Sequence, residues 1–205
     1  AHMIRSEREL LIQDKWLFKV YPHGANLVDR SYYFDPDIPY LVGIDPSAGS
    51  GNDNFAMTII NPFNMNIAAE FKNKYLSGPA ACDLIEELVG KYIPHAVLIP
   101  EKNSMGYFLI QMLLRTSVAE NLYWSEKSNS KQLDSLTEES PRDRELRLAS
   151  QMCAKYGVHT GKNNREAMFE LLFQYLSVCK DLLNTEYLVE DICKLTRTAT
   201  GRVEA

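Results

Sequence analysis

Two short, nearly continuous apolar runs constrain this chain most, because each stops at an acid. Tyr40-Leu41-Val42-Gly43-Ile44 ends at Asp45, and Ala96-Val97-Leu98-Ile99 ends at Pro100-Glu101. A run that is apolar at nearly every position is the pattern of a strand covered on both faces. A carboxylate at the C-terminal end of such a strand lies on the edge where open α/β sheets place their ligands. If the two strands are neighbours, both side chains project to one edge although they lie far apart in sequence.

The elements around these runs give the sheet an order. After Asp45, the stretch Pro46-Ser47-Ala48-Gly49-Ser50-Gly51-Asn52-Asp53-Asn54 reads as a turn, and Phe55 to Ile60 as a second apolar strand stopped by Asn61-Pro62. In a third strand Ile67, Ala69, Phe71 and Tyr75 alternate with Ala68, Glu70, Lys72 and Lys74, which predicts one buried and one wet face. Ser77-Gly78-Pro79 starts a helix whose stripe is Ala81, Ile85, Leu88, Val89 and Tyr92. The Ala96 run is a fourth strand, a helix follows over about 105–115, and Asn121 to Trp124 is a short fifth strand. Three strands, helix, strand, helix, strand is the order of a ribonuclease H-like α/β fold, a mixed sheet of five or more strands flanked by helices.

The flanks are less regular. Ala1-His2-Met3 reads as the remnant of a cleaved affinity tag, and residues 4–39 as a linker that packs on the domain formed by 40–205. The polar stretch Ser125 to Ser140, with Lys127 and Lys131, reads as a loop or exposed hairpin. Ser140-Pro141 starts a helix with Leu146, Ala149, Met152, Cys153 and Tyr156 on one stripe. A second, from about Asn164, carries Met168, Leu171, Leu172, Tyr175, Leu176, Cys179 and Leu183. A third carries Leu188, Val189, Ile192 and Leu195.

Composition excludes several classes. No apolar run approaches the roughly 20 residues that span a bilayer, so a soluble intracellular chain is expected. Cys82, Cys153, Cys179 and Cys193 form no CxxC pair and read as reduced core thiols. The net charge of −5 argues against a protein that grips nucleic acid unaided.

Hydrolysis of a phosphodiester by two metals needs acids converging so that two divalent ions stand about 4 Å apart. Asp45 and Glu101 meet that demand as catalytic, metal-binding residues. Asp53, inside the Gly/Asn-rich turn, is expected to hydrogen-bond backbone amides behind them. Glu190, Asp191 and Glu204 qualify only if the chain folds back to the same edge. Lys162 and Arg165 flank Asn163-Asn164 before a helix, where backbone amides already favour phosphate, and are the expected DNA-backbone contacts. His23 and His95 adjoin prolines without a partner at metal spacing, and His159 reads as a loop histidine near the site.

Gly43-Ile44-Asp45-Pro46-Ser47-Ala48-Gly49-Ser50-Gly51-Asn52-Asp53, Pro100-Glu101-Lys102-Asn103-Ser104-Met105-Gly106, and Tyr156-Gly157-Val158-His159-Thr160-Gly161-Lys162-Asn163-Asn164-Arg165 together resemble the nuclease half of tailed-phage large terminase subunits. The resemblance runs from about residue 40 to the end. It implies a ribonuclease H-like domain that cuts concatemeric double-stranded DNA with Mg²⁺ or Mn²⁺, two ions in a complete site, Asp45 and Glu101 being the first-strand and fourth-strand ligands. It also implies an N-terminal ATPase domain on the same polypeptide, portal and small terminase subunits as partners, and action in the host cytoplasm during virus assembly. The isolated domain is expected to be monomeric. The family carries a further metal-binding Asp shortly after a segment resembling Gly201-Arg202-Val203-Glu204-Ala205, so this sequence is expected to stop short of one ligand. Two other classes compete: an actin-like ATP-binding phosphotransferase, which shares the Gly-Ile-Asp strand end but needs a duplicated domain, and a scaffold that binds DNA or motor partners without cutting.

Overall fold

The computed structural model describes residues 8–21, 34–124, 153–178, 185–197 and 203–204. The strands are β1 (Arg8–Ile12), β2 (Trp16–Val20), β3 (Leu41–Asp45), β4 (Phe55–Ile60), β5 (Ile67–Asn73) and β6 (Val97–Pro100). The helices are α1 (Gly78–Lys91), α2 (Ser104–Leu113), α3 (Lys162–Val178) and α4 (Glu186–Lys194), and a small ladder pairs β7 (Thr196–Arg197) with β8 (Val203–Glu204). The expected loop at 125–140 lies outside the described residues, as does the helix expected from 140 as far as residue 152; of its stripe, Tyr156 is not helical and bridges Trp124 antiparallel.

The main sheet has the order β1-β2-β5-β4-β3-β6. β3, β4 and β5 are antiparallel in succession, and β6 runs parallel to β3 on the other side. Beyond β6 the expected fifth strand is reduced to one parallel bridge, Leu98 to Leu122, because a 3-10 turn at Ala119–Asn121 leaves few extended residues there. This mixed, helix-flanked sheet has the ribonuclease H-like order, with a hairpin added at the β5 edge.

That hairpin changes the reading of residues 4–39 as a linker. β1 and β2 pair along their length, and Lys19 and Val20 of β2 pair with Glu70 and Ala69 of β5. Ile12, Phe18 and Val20 are fully buried, and Phe18 stacks on Phe71 with ring centroids 4.8 Å apart. Burying one such side chain contributes about 1.5–3 kcal/mol, so the hairpin is part of the core. Exposed Leu11 and Leu17 disguise the strand period in the sequence.

The two sheet faces are covered differently. One carries Val42, Ile44, Met57, Ile59 and Phe71 into a single cluster with Leu84, Ile85 and Leu88 of α1 and Leu109 and Leu113 of α2. On the other, Ile60, Ile67 and Tyr21 meet Leu172, Tyr175 and Leu176 of α3 and Leu188 and Ile192 of α4. A bulge helps: Ile59 pairs with Ala69 and Ile60 with Ile67, so Ala68 is skipped and Ile67 turns toward the helices. The third strand is therefore buried on both faces over Ile67–Phe71, not on one. On α3 the buried arc centres on Leu176, and Met168 and Leu171 of the expected stripe are exposed. Cys82 and Cys153 are buried free thiols as expected, Cys193 is exposed instead, and Cys179 lies outside the described residues.

Glu70 holds α4 to the sheet. It is buried, accepts from the Tyr21 hydroxyl at 2.9 Å, and accepts from the backbone N–H groups of Tyr187 and Leu188 at 3.3 and 3.1 Å. Those two N–H groups belong to the first turn of α4, whose N-cap Thr185 gives no side-chain cap hydrogen bond. A carboxylate from a neighbouring strand thus replaces the missing cap and faces the positive end of the helix. Burial pushes the Glu70 carboxyl up, while these hydrogen bonds and the nearby Lys72 pull it back. Replacing Glu70 with Ala leaves buried donors without an acceptor, at a cost of about 1–3 kcal/mol. Urea denaturation should show that loss, and hydrogen exchange should show the amides of α4 losing protection before those of β3 and β4.

Candidate active site

The parallel register between β3 and β6 places the two strand-end acids together. Ile44 pairs with Pro100, and the Glu101 N–H donates to the Ile44 carbonyl at 2.8 Å, so the next residue on each strand stands side by side. These are Asp45 and Glu101, whose carboxyl groups share a hydrogen bond. Crowding by surrounding protein pushes the Asp45 carboxyl up to about 6, followed by the hydrogen bond to and charge of Glu101, then the charges of Asp53 and Asp191. Four acids drawn from four segments therefore act on one place.

The backbone around Glu101 is set by close packing. Asn103 caps α2, its side chain accepting from the Gly106 N–H at 2.7 Å, and its amide donates to the Pro46 carbonyl at 3.4 Å. The loops that follow the two acids are thereby tied to each other. Gly106 lies so close under the strand end that an added Cβ would stand 1.8 Å from the Glu101 carbonyl oxygen. On the other side Val158 bridges Glu101 in parallel, and Gly157, at φ +72°, passes Pro100 where a Cβ would stand 2.3 Å from its carbonyl oxygen. Lys102 leads away from the acids, its ammonium donating to the Ala154 carbonyl at 2.8 Å.

A cavity of about 480 Å³ opens over this edge, lined by Asp45, Asp53, Ala56, Lys72, Asn103 and Asp191 among others. Asp53, expected to support the turn, thus contributes its charge to the same cavity. Of the three conditional candidates, Asp191 returns to this edge on α4, Glu190 does not line it, and the Glu204 side chain lies outside the described atoms. A second cavity of about 510 Å³ lies beyond Glu101 and is lined by Glu101, Thr160, Arg165 and Phe169, among others. Arg165 projects there from the first turn of α3, its guanidinium 5.9 Å from the Phe169 ring centroid. Lys162 begins the same helix, and its side chain is not among the described atoms. His159 stays at the loop, its Nδ1 3.4 Å from the Lys102 carbonyl.

Sequence reasoning placed Lys72 on a wet strand face and gave it no role. Its signal lies in hairpin arithmetic: Asp45 pairs with Ala56 and Ala56 with Lys72, so all three side chains stand in one row on one face. Counting that row requires the turn lengths, which the sequence leaves open.

Asp45 and Glu101 offer oxygen donors only, the set that a hard divalent cation such as Mg²⁺ or Mn²⁺ takes while keeping most of its waters. They fit one hydrated ion. Among the described residues, no group of three or more His, Cys, Asp or Glu side chains gathers tightly enough to hold an ion by itself.

The sequence matches no family model and no curated protein. Among solved structures, the chain is similar to the large terminase nuclease from thermophilic phage G20c, at 14% identity and a TM-score of 0.39, over 91% of this chain and 76% of that one. At that level of superposition the likeness adds nothing to the strand order, which carries the fold assignment. No described helix is long and apolar enough to cross a membrane.

Two outcomes follow from this geometry. Gly106→Ala forces α2 away from the Glu101 carbonyl and should cost about 1–3 kcal/mol, as overpacked sites do; a urea midpoint equal to wild type would place the first turn of α2 elsewhere. In metal-free buffer, the folded chain keeps a proton on Asp45 between its ordinary value of 3.8 and about 6, where the unfolded chain has lost it. Stability relative to Asp45→Asn should therefore be greatest at the acid end of that window and fall as pH rises through about 6. Thermal melts of the two proteins across that range measure the difference.

Proposed function

We propose that this chain is the nuclease domain of a viral DNA-packaging motor, a large terminase subunit that cuts concatemeric double-stranded DNA by metal-dependent phosphodiester hydrolysis. The observation that carries the chemistry is the pairing of Asp45 and Glu101 at the ends of adjoining parallel strands, close enough to share a hydrogen bond. Two carboxylates held this way repel each other, and a divalent cation relieves that repulsion. The packaging context rests on the three sequence motifs that resemble terminase nucleases.

Asp45 and Glu101 would hold the ion, which when bound supplies Lewis-acid polarisation of a phosphoryl oxygen and an activated water. A second Mg²⁺ or Mn²⁺ needs further oxygen donors; Asp53 and Asp191 line the same cavity, and the terminase resemblance adds an Asp beyond Ala205. Asn103 and Gly106 fix the backbone at Glu101 by capping α2 and packing against its carbonyl. Arg165, reached across Glu101, and Lys162 at the start of α3 are proposed to hold the DNA backbone on that side. On this reading the physiological partners are double-stranded DNA, an N-terminal ATPase domain, and the portal and small terminase subunits, and the work is done in the host cytoplasm.

The test is nicking of supercoiled plasmid with Mn²⁺ or Mg²⁺, by this chain and by one extended C-terminally. Metal-dependent, largely sequence-nonspecific cutting should fall at least about 100-fold in Asp45→Ala and in Glu101→Ala, the scale of removing a principal electrostatic group. Full activity in either variant would sink the assignment of these acids. Cutting by neither length of chain would leave a non-cutting scaffold as the better account.

A further inference from the structure

The cavity over Asp45 has a charge problem. A DNA phosphate that enters it meets Asp45, Asp53 and Asp191, and among the described residues lining it Lys72 carries the positive charge. Lys72 stands in the same register row as Asp45, two strands away, with Ala56 between them. Ala56 is small enough to leave the floor of the cavity open, and Lys72 lines the same cavity beyond it. The row across the sheet edge thus reads acid, acid, small residue, cation, from Glu101 through Asp45 and Ala56 to Lys72.

The Lys72 ammonium is positioned by α4. It lies 2.7 Å from the Asp191 carboxylate and 4.9 Å from the centroid of the Tyr187 ring, which Lys19 approaches from a similar distance. Its side chain is only 15% exposed, so the stem is packed and the charge is held at the cavity wall. Asp191 is shared, because Lys194 also approaches it, at 3.5 Å on the same helix. If the Lys72 ammonium turns to another anion, Asp191 keeps a cation beside it. An ion pair made only to hold α4 down would not need a lysine that also lines the acid cavity, since Glu70 and the Lys19–Glu186 pair already bind the start of that helix to the sheet.

We propose that Lys72 is a phosphate-contacting residue of the site: it receives a backbone phosphate of the DNA on the β5 side of Asp45, with Asp191 and Tyr187 holding its ammonium in place until then. This rests on the nuclease reading, and it adds a basic contact on the β5 side of Asp45, whereas Arg165 lines the second cavity beyond Glu101. The residue is fixed in place by the strand register, so the phosphate it takes is near the reacting one and not on a remote stretch of duplex.

The experiment is binding of a short fluorescent duplex in Ca²⁺, followed by anisotropy across a salt series, with melting temperatures for each protein. Lys72→Met should weaken binding about tenfold and lower the slope of log affinity against log salt by about one, the mark of one lost phosphate contact. Lys72→Arg should restore both, and Lys194→Met, which removes the same charge from outside the cavity, should keep the wild-type slope. If Lys72→Met lowers the melting temperature but keeps the wild-type salt slope, Lys72 is only a tether for α4 and the proposal is overturned. The series is run on this chain and on one extended C-terminally, and if neither shows Ca²⁺-dependent duplex binding, the nuclease reading fails and takes this inference with it. Intact binding with an unchanged Lys72→Met slope removes Lys72 alone.

Discussion

The parallel ladder between β3 and β6 is the contact on which the rest depends. Parallel strands cannot be joined by a tight turn, so the chain passes through β4, β5 and α1 before β6 can lie beside β3. The reward is that both strands end at one edge, in register, with Asp45 as the last residue of β3 and Glu101 just past the end of β6. A ladder displaced by one residue would turn one of the two carboxylates to the opposite face. Val42 and Ile44 and Leu98, all buried, penalise such a slip, so hydrophobic packing fixes the position of the charges. Burial of a carboxyl and like charges held beside it both oppose its ionisation, and the raised Asp45 carboxyl is the trace of burial first and of its acidic neighbours second.

The other side of the cavity depends on α4. This helix has charged residues at both ends and a narrow apolar strip, Leu188 and Ile192, for its packing. Its attachment relies on Glu70, a buried carboxylate that would be costly were it not met by a phenol hydroxyl and two helix N–H groups. The same strand carries Glu70 and Lys72 two residues apart, so both point to one face: the first grips the start of the helix and the second meets Asp191 about one turn further along. β5 thereby positions the helix and an edge of the cavity at once.

Much of the central sheet was legible in the sequence because β3, β4 and β6 read as nearly unbroken apolar runs, although only one face of each is fully buried and Gly43 of β3 is exposed on the other. The hairpin β1–β2 was not, since Leu11 and Leu17 are apolar yet exposed and blur the alternation of Trp16, Phe18 and Val20. β5 misled in the opposite sense: Glu70 reads as a wet position, and only its partners on β2 and α4 make it a buried one. At the site, Asp45 and Glu101 could be singled out because a strand end is a local feature. Asp191 and Lys72 could not be assigned a place, because what brings them together is the count of residues across two hairpins and the angle at which a distant helix docks. Those are tertiary quantities that residue pattern alone leaves undetermined.

The hydrogen bond from Asn103 to Pro46 links residues 57 apart, and the bonds from Tyr187 and Leu188 to Glu70 span 117 and 118. Contacts of short separation close first, because less chain entropy is lost in making them. The β3–β4 and β4–β5 hairpins can therefore form while the acids are still far apart and hydrated. Asp45 meets Glu101 only when β6 docks, and Asp191 joins them only when the last helix settles on Glu70. Chain entropy thus favours bringing the like charges together late, in the same step that adds Leu98 of β6 to the core.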